Sequence, residues 1–204
     1  MKNVGETSRD PTEPTEPQVK IQSFTPEWQE STIDCIGEVR RTQYNDPTGF
    51  VKAIYKEGIA KNFQRFPYED FFVALDPEAQ QVVGNIGLRF VKEKTDQTRI
   101  GQLRRFNVRP SFEGKEIGSR LLNHSLDFAR ANNYKEIYLT TEFDKEHERA
   151  RGMYERRGFK RVKPEEMPKD DLNLILTGGD DNLDKIKEGK TLIYKLDLEP
   201  QQNN

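Results

Sequence analysis

The chain has 204 residues, 33% of them hydrophobic and 33% charged, with a formal net charge of −2. This length suits one domain with a substantial core, and the balanced charge argues against nucleic acid or an anionic membrane surface as a partner. A single cysteine, no apolar run near the ~20 residues of a membrane span and no signal-peptide core together predict a soluble cytoplasmic protein.

The two ends of the chain are predicted to be tails. Residues 1–18 are rich in Pro, Thr and Glu, with too little apolar surface to offset the entropy of ordering. Residues 200–204 form the second tail, and a scaffold role for the first tail is one open hypothesis. Between the tails, residues 19–199 are predicted to form one domain, in which residues 163–190 are an insert before the last strand.

The first half of this domain is predicted to be a strand, two helices and an antiparallel meander of three strands. Thr25 is a candidate N-cap for the first helix, with Pro26 at the first helical position. Aromatic and β-branched residues between turn signals indicate the strands. The predicted strands are 19–24, 70–76, 82–91 and 98–108, and the second helix is 50–66.

The second half is predicted to continue with helix, strand, helix, strand, insert and strand. Gly158 can adopt the left-handed conformation that ends a helix. A strand–helix–strand unit favours parallel pairing, so we expect a mixed sheet. "LNLIL" in the insert is predicted to be a short strand or a buried loop. The first predicted helix of this half ends near residue 131, and the second spans 144–157. The predicted strands are 136–141, 159–162 and 191–198.

The stretch "RPSFEGKEIGSRLL", residues 109–122, joins a strand ending at Val108 to a helix beginning near Glu116. A helix N-terminus directs free N–H groups and the positive end of the helix dipole at one point, which attracts phosphate. Gly114 and Gly118 allow close backbone approach because they lack a Cβ. The alternative interpretation is a tight turn with close helix–sheet packing.

Two motifs occur in order along the second half of the chain. The first consists of Val108, Pro110, Glu113–Gly118, Leu121 and Leu122, and the second consists of His147, Ala150, Tyr154, Gly158 and Phe159. Together they resemble the GNAT N-acetyltransferase superfamily. In that family a strand ending in V-x-P leads to a loop of pattern Q/R-x-x-G-x-G/A and a helix with paired leucines, and the second motif is N-x-x-A followed by Y-x-x-x-G-F.

The resemblance implies a twisted mixed α/β sheet of about seven strands with helices on both faces. It also implies transfer of an acetyl group from the cosubstrate acetyl-CoA to a primary amine by direct attack. Tyr154 would protonate the leaving thiolate, since a phenol keeps its proton at neutral pH. His147 stands where the family often has Asn and would contact the cofactor, unless it is a surface histidine. The backbone of Phe106, Asn107 and Val108 would pair with the pantetheine arm, and Gly114, Lys115, Glu116, Ile117, Gly118 and Ser119 would cradle the diphosphate.

Three residues depart from the family pattern. Glu113 replaces a Gln or Arg, and Glu116 replaces the central glycine. A carboxylate beside a diphosphate weakens binding, although Lys115 and Arg120 could screen it. Gln102 stands near the position of a frequent catalytic glutamate and cannot accept a proton. These departures support an alternative function, a weak or inactive GNAT-like module that binds a ligand or a protein.

The general base and the acceptor are left open by the sequence. Glu69, Asp70 and Glu142 are candidate bases near strand ends, with a solvated surface charge as the alternative for each. A water relay, or an amine that arrives already neutral, is an equally open alternative to all three. The acceptor is a small-molecule or peptide amine, and acidic residues in the insert favour a cationic one such as a polyamine, aminoglycoside or lysine. His124 and Cys35 are expected to pack rather than react. No metal-site spacing is present, and a monomer or a homodimer is equally compatible.

Overall fold

The structure is a computed structural model that describes residues 18–43, 69–176 and 183–199. The predicted second helix, 50–66, lies outside the described residues, as do most of the two predicted tails. No helix in the described ranges is long and apolar enough to cross a membrane.

In the described residues, seven strands form a single mixed sheet in the order β1-β2-β3-β4-β5-β7-β6. All neighbouring strands are antiparallel except β4 and β5, which pair in parallel across the helix that connects them. This confirms the predicted mixed sheet and its meander. The strands are β1 Lys20–Ser23, β2 Glu69–Asp76, β3 Gln81–Glu93, β4 Arg99–Val108, β5 Tyr134–Glu142, β6 Lys160–Val162 and β7 Thr191–Asp197.

Helix α1, Gln29–Gln43, covers one face of strands β2 and β3 and follows a single 3₁₀ turn, Pro26–Trp28. Its buried Cys35 packs against alternate residues of β2, among them Phe71 and Val73. Thr25 occupies the predicted N-cap position, but its hydroxyl donates to the Glu27 carboxylate at 2.8 Å rather than accepting from the helix backbone.

The opposite face of the sheet is covered by α2, Ile117–Ala131, and α3, Glu148–Glu155. Both contribute to the largest apolar core. The start of α3 differs from the predicted 144–157, because the Asp144 carboxylate accepts from the N–H of His147 at 2.8 Å and holds the preceding residues in a turn. Gly158 ends this segment with φ +86°, the left-handed conformation expected of it.

The described part of the insert contains two short α-helices, α4 Lys169–Leu176 and α5 Leu183–Lys187, on the same face as α1. The prediction of a strand or loop for "LNLIL" was therefore wrong. Leu172, Ile175 and Leu176 are spaced by three and four residues, which places all three on one helical face. That face packs against Tyr138 of β5 and Ile193 of β7.

Glu136 organises a charged cluster on this face. Its carboxylate pairs with Lys94, lies 3.3 Å from Lys195 Nζ and accepts the Tyr138 hydroxyl at 3.0 Å. Burial alone would raise the pKa of Glu136, but these hydrogen bonds and nearby lysines outweigh it and hold the pKa below its ordinary value. The ionised form is therefore favoured by folding.

Replacing Glu136 with glutamine should lower stability at pH 7 by on the order of 1 kcal/mol, or about 2–4 °C in Tm. The stabilisation is present above the unfolded pKa and is lost as the pH falls through the lowered folded pKa, so wild type and variant should converge in acid. Thermal melts between pH 3 and 7 measure this. The exposed Glu188→Gln, which breaks only a surface pair with Lys190, is the control and should not change Tm.

Candidate functional site

The pairing of β4 with β5 stops well before β4 ends. It joins Arg99–Gln102 to Tyr134–Tyr138, whereas β4 continues to Val108. Within the described residues, the segment Leu103–Val108 has β3 as its strand partner and none on the β5 side. In the described residues, no strand therefore covers the β5 side of this segment, which is the arrangement that accepts an added strand-like chain.

A β-bulge at Arg105 lies in the middle of this unpaired segment. Arg105 has φ +50°, an uncommon conformation for a residue with a side chain. Its carbonyl accepts hydrogen bonds from the side-chain amides of Asn85 and Asn107, the latter at 3.0 Å. These two amides hold the bulge, which shifts the register of β4 against β3 between Asn85 and Gly87.

The loop after β4 brings free backbone N–H groups to the start of α2. The N–H of Glu113 donates to Pro110, and that of Arg120 donates to Glu116. The four N–H groups of residues 116–119 have no protein acceptor in the part of the chain that the structure describes. This is the N–H arrangement that binds anions at a helix N-terminus.

Glu116 occupies the position at which the family pattern has its central glycine, with φ 58° and ψ 4°. The left-handed conformation costs an ordinary residue roughly 1–2 kcal/mol, which explains the preference for glycine. Its side chain is exposed and makes no capping hydrogen bond. The carboxylate therefore does not occupy the N–H groups beside it.

Two cations flank the loop. Lys115 Nζ lies 4.8 Å from the centre of the Phe112 ring. Arg149 of α3 reaches the loop from the neighbouring helix, and its Nη2 is 3.8 Å from the point where a Cβ on Gly114 would lie. Arg149 was not among the residues predicted from the sequence, although it lies within the second motif. Arg120 is not a phosphate partner in this arrangement, because its guanidinium donates to the Val19 carbonyl at 2.5 Å.

Tyr154 of α3 is buried against the unpaired segment of β4. The centre of its ring is 6.3 Å from that of Phe106, 6.0 Å from that of Phe159 and 6.4 Å from that of Tyr194. Phe106 also approaches α2, since its Cζ is 3.6 Å from the point where a Cβ on Gly118 would lie. The strand edge, the helix N-terminus and Tyr154 therefore meet at one crevice.

The histidines and the cysteine have protein partners. His147 Nδ1 lies 2.7 Å from Asp144 Oδ1. His124 packs edge-on against Phe72, with ring centres 4.9 Å apart, as expected. Cys35 is fully buried, and burial raises the pKa of its thiol to about 12, which suits the expected packing role. No group of His, Cys, Asp and Glu that could hold a metal occurs among the described residues.

Gln102 is buried at the point where the β4–β5 pairing ends. It accepts a hydrogen bond from Arg89 Nη2 at 2.6 Å and donates to the Ile175 carbonyl of α4 at 3.3 Å. The register places Glu69, Arg89, Gln102 and Tyr138 side by side on strands β2 to β5. A polar row therefore runs across the α1 face of the sheet to the end of the β4–β5 pairing.

The three acidic candidates for a base lie in different surroundings. Asp70 faces away from Glu69, and burial, opposed by Arg99, raises the pKa of its carboxyl. Glu142 accepts from the Thr191 hydroxyl at 3.2 Å at the far end of β5. Glu69 has a side chain that is 6% exposed, with Oε2 3.8 Å from Arg105 Nη1.

Comparison with known families decides the identity of this fold. The model of the acetyltransferase (GNAT) family matches residues 24–159, which include the unpaired strand, the loop and Tyr154. The chain belongs to the GNAT acetyltransferase family. A comparison with curated proteins gave no match.

Solved GNAT structures share the fold at low sequence identity. A GNAT acetyltransferase from Staphylococcus aureus Mu50 is 20% identical, with a TM-score of 0.65, covering 89% of this chain and 99% of that one. The PaiA N-acetyltransferase of Thermoplasma acidophilum, solved with coenzyme A, is 15% identical, with a TM-score of 0.63 and the same coverage. A GNAT acetyltransferase from Brucella melitensis, solved with acetyl-CoA, is 18% identical, with a TM-score of 0.52, covering 71% of this chain and 84% of that one.

Proposed function

We propose that this GNAT protein is an N-acetyltransferase that transfers the acetyl group of acetyl-CoA to a primary amine. One observation carries the proposal: the unpaired edge of β4 leads directly into the free N–H groups of residues 116–119, with Tyr154 against the same edge. Relatives of the same fold were solved with coenzyme A or acetyl-CoA.

The crevice matches the parts of acetyl-CoA in order. The pantetheine arm carries amide groups that can pair with the backbone of Phe106, Asn107 and Val108 as an added strand does. The diphosphate would then reach the N–H groups of residues 116–119, where the helix dipole also favours negative charge. Lys115 and Arg149 supply positive charge at the same place. The imidazole of His147, at the start of α3, is paired with the Asp144 carboxylate.

The chemistry needs an attack on the thioester carbonyl carbon, loss of the thiolate and two proton transfers. The neutral amine attacks the thioester carbonyl carbon, forming the C–N bond, and the tetrahedral intermediate then breaks its C–S bond. The departing thiolate takes a proton from the Tyr154 hydroxyl, and the nitrogen loses its extra proton to a base. The products are the acetylated amine and coenzyme A.

The test is isothermal titration with acetyl-CoA, followed by thiol release with spermidine, Nα-acetyl-lysine amide and a peptide with a free N-terminus. We expect acetyl-CoA to bind, and acetyl-pantetheine, which lacks the diphosphate, to bind at least tenfold more weakly. Thiol release with one of the amines completes the assignment. Absence of heat at millimolar acetyl-CoA would overturn the proposal.

A second function, a GNAT-like module without catalysis, is favoured by one feature. Glu113 and Glu116 place two carboxylates at the loop, and both side chains are exposed. This function would be supported over the first if acetyl-CoA binds but releases no thiol with any of the amines, or with an added protein partner.

Replacing Glu116 with glycine should tighten acetyl-CoA binding about tenfold and raise stability by about 1 kcal/mol. The variant removes a side chain from a residue whose backbone is left-handed, and it removes a negative charge near the diphosphate. Glu116→Gln is the matched control, because it removes the charge and keeps the backbone conformation, so it should improve affinity less and leave Tm unchanged. Equal Tm values for the glycine and glutamine variants would contradict the backbone argument.

A further inference from the structure

We infer that Glu69 is the general base that takes the proton from the acceptor amine. The inference rests on the proposed function and deepens it by assigning a residue to a role that the family motifs leave open in this chain. Gln102, near the position of the expected glutamate, cannot take a proton, and its amide is held by Arg89 and by the Ile175 carbonyl.

The Glu69 carboxylate is buried, and its hydrogen-bonding capacity is not fully used by the described residues. Its side chain is 6% exposed. One oxygen, Oε1, is buried and has no hydrogen-bond partner in the described part of the chain, and the other is 3.8 Å from Arg105 Nη1, beyond hydrogen-bond distance. A carboxylate in this state lacks the donors that would normally offset its burial. An ammonium group of a substrate would supply them.

Glu69 lies on the α1 face of the sheet, from which the acceptor amine would approach the thioester. Its carboxylate lies over Gly87 of β3, where an added methyl group would collide with Oε1. Gly87 pairs with Arg104 of β4, so the carboxylate is one strand spacing, about 4.8 Å, from the strand that borders the crevice. Tyr154 and the loop lie on the opposite face, so acid and base would approach the thioester from opposite sides.

The polar row on this face connects Glu69 to the end of the β4–β5 pairing. Glu69 stands opposite Arg89, and Arg89 stands opposite Gln102 and donates to it. An amine entering over this face would meet the Glu69 carboxylate directly or through one water, the usual reach of a general base. Its ammonium proton moves to Glu69 and on to water, which leaves the nitrogen lone pair free for attack, and the second proton that the nitrogen loses after attack leaves by the same route.

Glu69→Gln should lower kcat by about 10²–10³-fold at pH 7 with whichever probe amine the wild type acetylates. Acetyl-CoA affinity by calorimetry should stay within twofold. The loss should shrink roughly tenfold per pH unit between pH 7 and 9, because a larger share of an amine with a pKa near 10 then arrives neutral. Asp70→Asn, one residue along and on the opposite face, is the matched control and should keep wild-type kcat.

Each outcome separates this inference from the proposed function. Wild type that binds no acetyl-CoA or releases no thiol overturns both. Active wild type with an equally active Glu69→Gln overturns the base assignment alone. A loss that is independent of pH, or that accompanies a drop in Tm, would show Glu69 to be a structural partner of the Arg105 bulge. In that case Glu69→Asp, which keeps a carboxylate, should restore stability and kcat together.

Discussion

Replacing Tyr154 with phenylalanine should lower kcat by about 10²-fold and leave acetyl-CoA affinity nearly unchanged. The phenol is the proton donor in the proposed mechanism, and its ring packs against Phe106 on the edge that would hold the pantetheine arm. Phenylalanine keeps this packing and removes the proton. Steady-state thiol release and calorimetry with acetyl-CoA measure the two effects separately.

Tyr194 offers a matched control in the same aromatic cluster. Its ring centre is 6.4 Å from that of Tyr154, and its hydroxyl donates to Glu155 Oε1 at 2.8 Å. Tyr194→Phe removes a hydroxyl and a hydrogen bond from the cluster without removing the proposed acid, so turnover should stay within about twofold. Equal losses in the two variants would mean that the cluster acts through packing, and an unchanged Tyr154→Phe would remove Tyr154 as the acid.

Replacing Leu121 with alanine should destabilise the protein by about 2–5 kcal/mol. Leu121 is fully buried on α2, and its Cδ1 lies 3.0 Å from the point where a Cβ on Gly84 of β3 would be. Truncation leaves a cavity where this helix meets the sheet. For a domain of this size the loss corresponds to a Tm decrease of about 5–15 °C, which differential scanning fluorimetry can measure.

The same variant also tests how α2 supports the loop. Because α2 carries the N–H groups of residues 116–119 at its start, its packing on β3 positions the proposed diphosphate site. Leu183→Ala on α5 is the surface control, since Leu183 is 38% exposed and its truncation should change stability by less than about 0.5 kcal/mol. A Leu121→Ala protein as stable as this control would show that the helix does not depend on that contact.

Most elements of the sheet could be predicted because their signals are local. Strands β2 to β4 alternate or concentrate apolar residues between turn signals. The helix α4 was missed because "LNLIL" is too short and too uniformly apolar for its period to be distinguished from that of a strand. Its contact with Tyr138 and Ile193 decides the conformation, and such a contact is absent from any local window.

Some residues of the site could likewise be predicted from local sequence, and others could not. The loop glycines and Tyr154 lie in contiguous motifs, so the sequence could indicate them. Arg149 comes next to Gly114 only because α3 is the neighbouring helix in the fold. The occupied guanidinium of Arg120 depends likewise on Val19, which is about a hundred residues away along the chain.

The sequence by itself determined the family, the mixed α/β fold and the order of strand, loop and helix at the crevice, because glycine placement and apolar periodicity act between near neighbours. Only the tertiary structure decided which charged and polar residues lie next to one another. The register of β2, β3 and β4 places Glu69, Arg89 and Gln102 in one row although they are far apart in the chain. Burial of one Glu69 carboxylate oxygen without a hydrogen-bond partner among the described residues is a property of that packing, and no pattern of residue types encodes it locally.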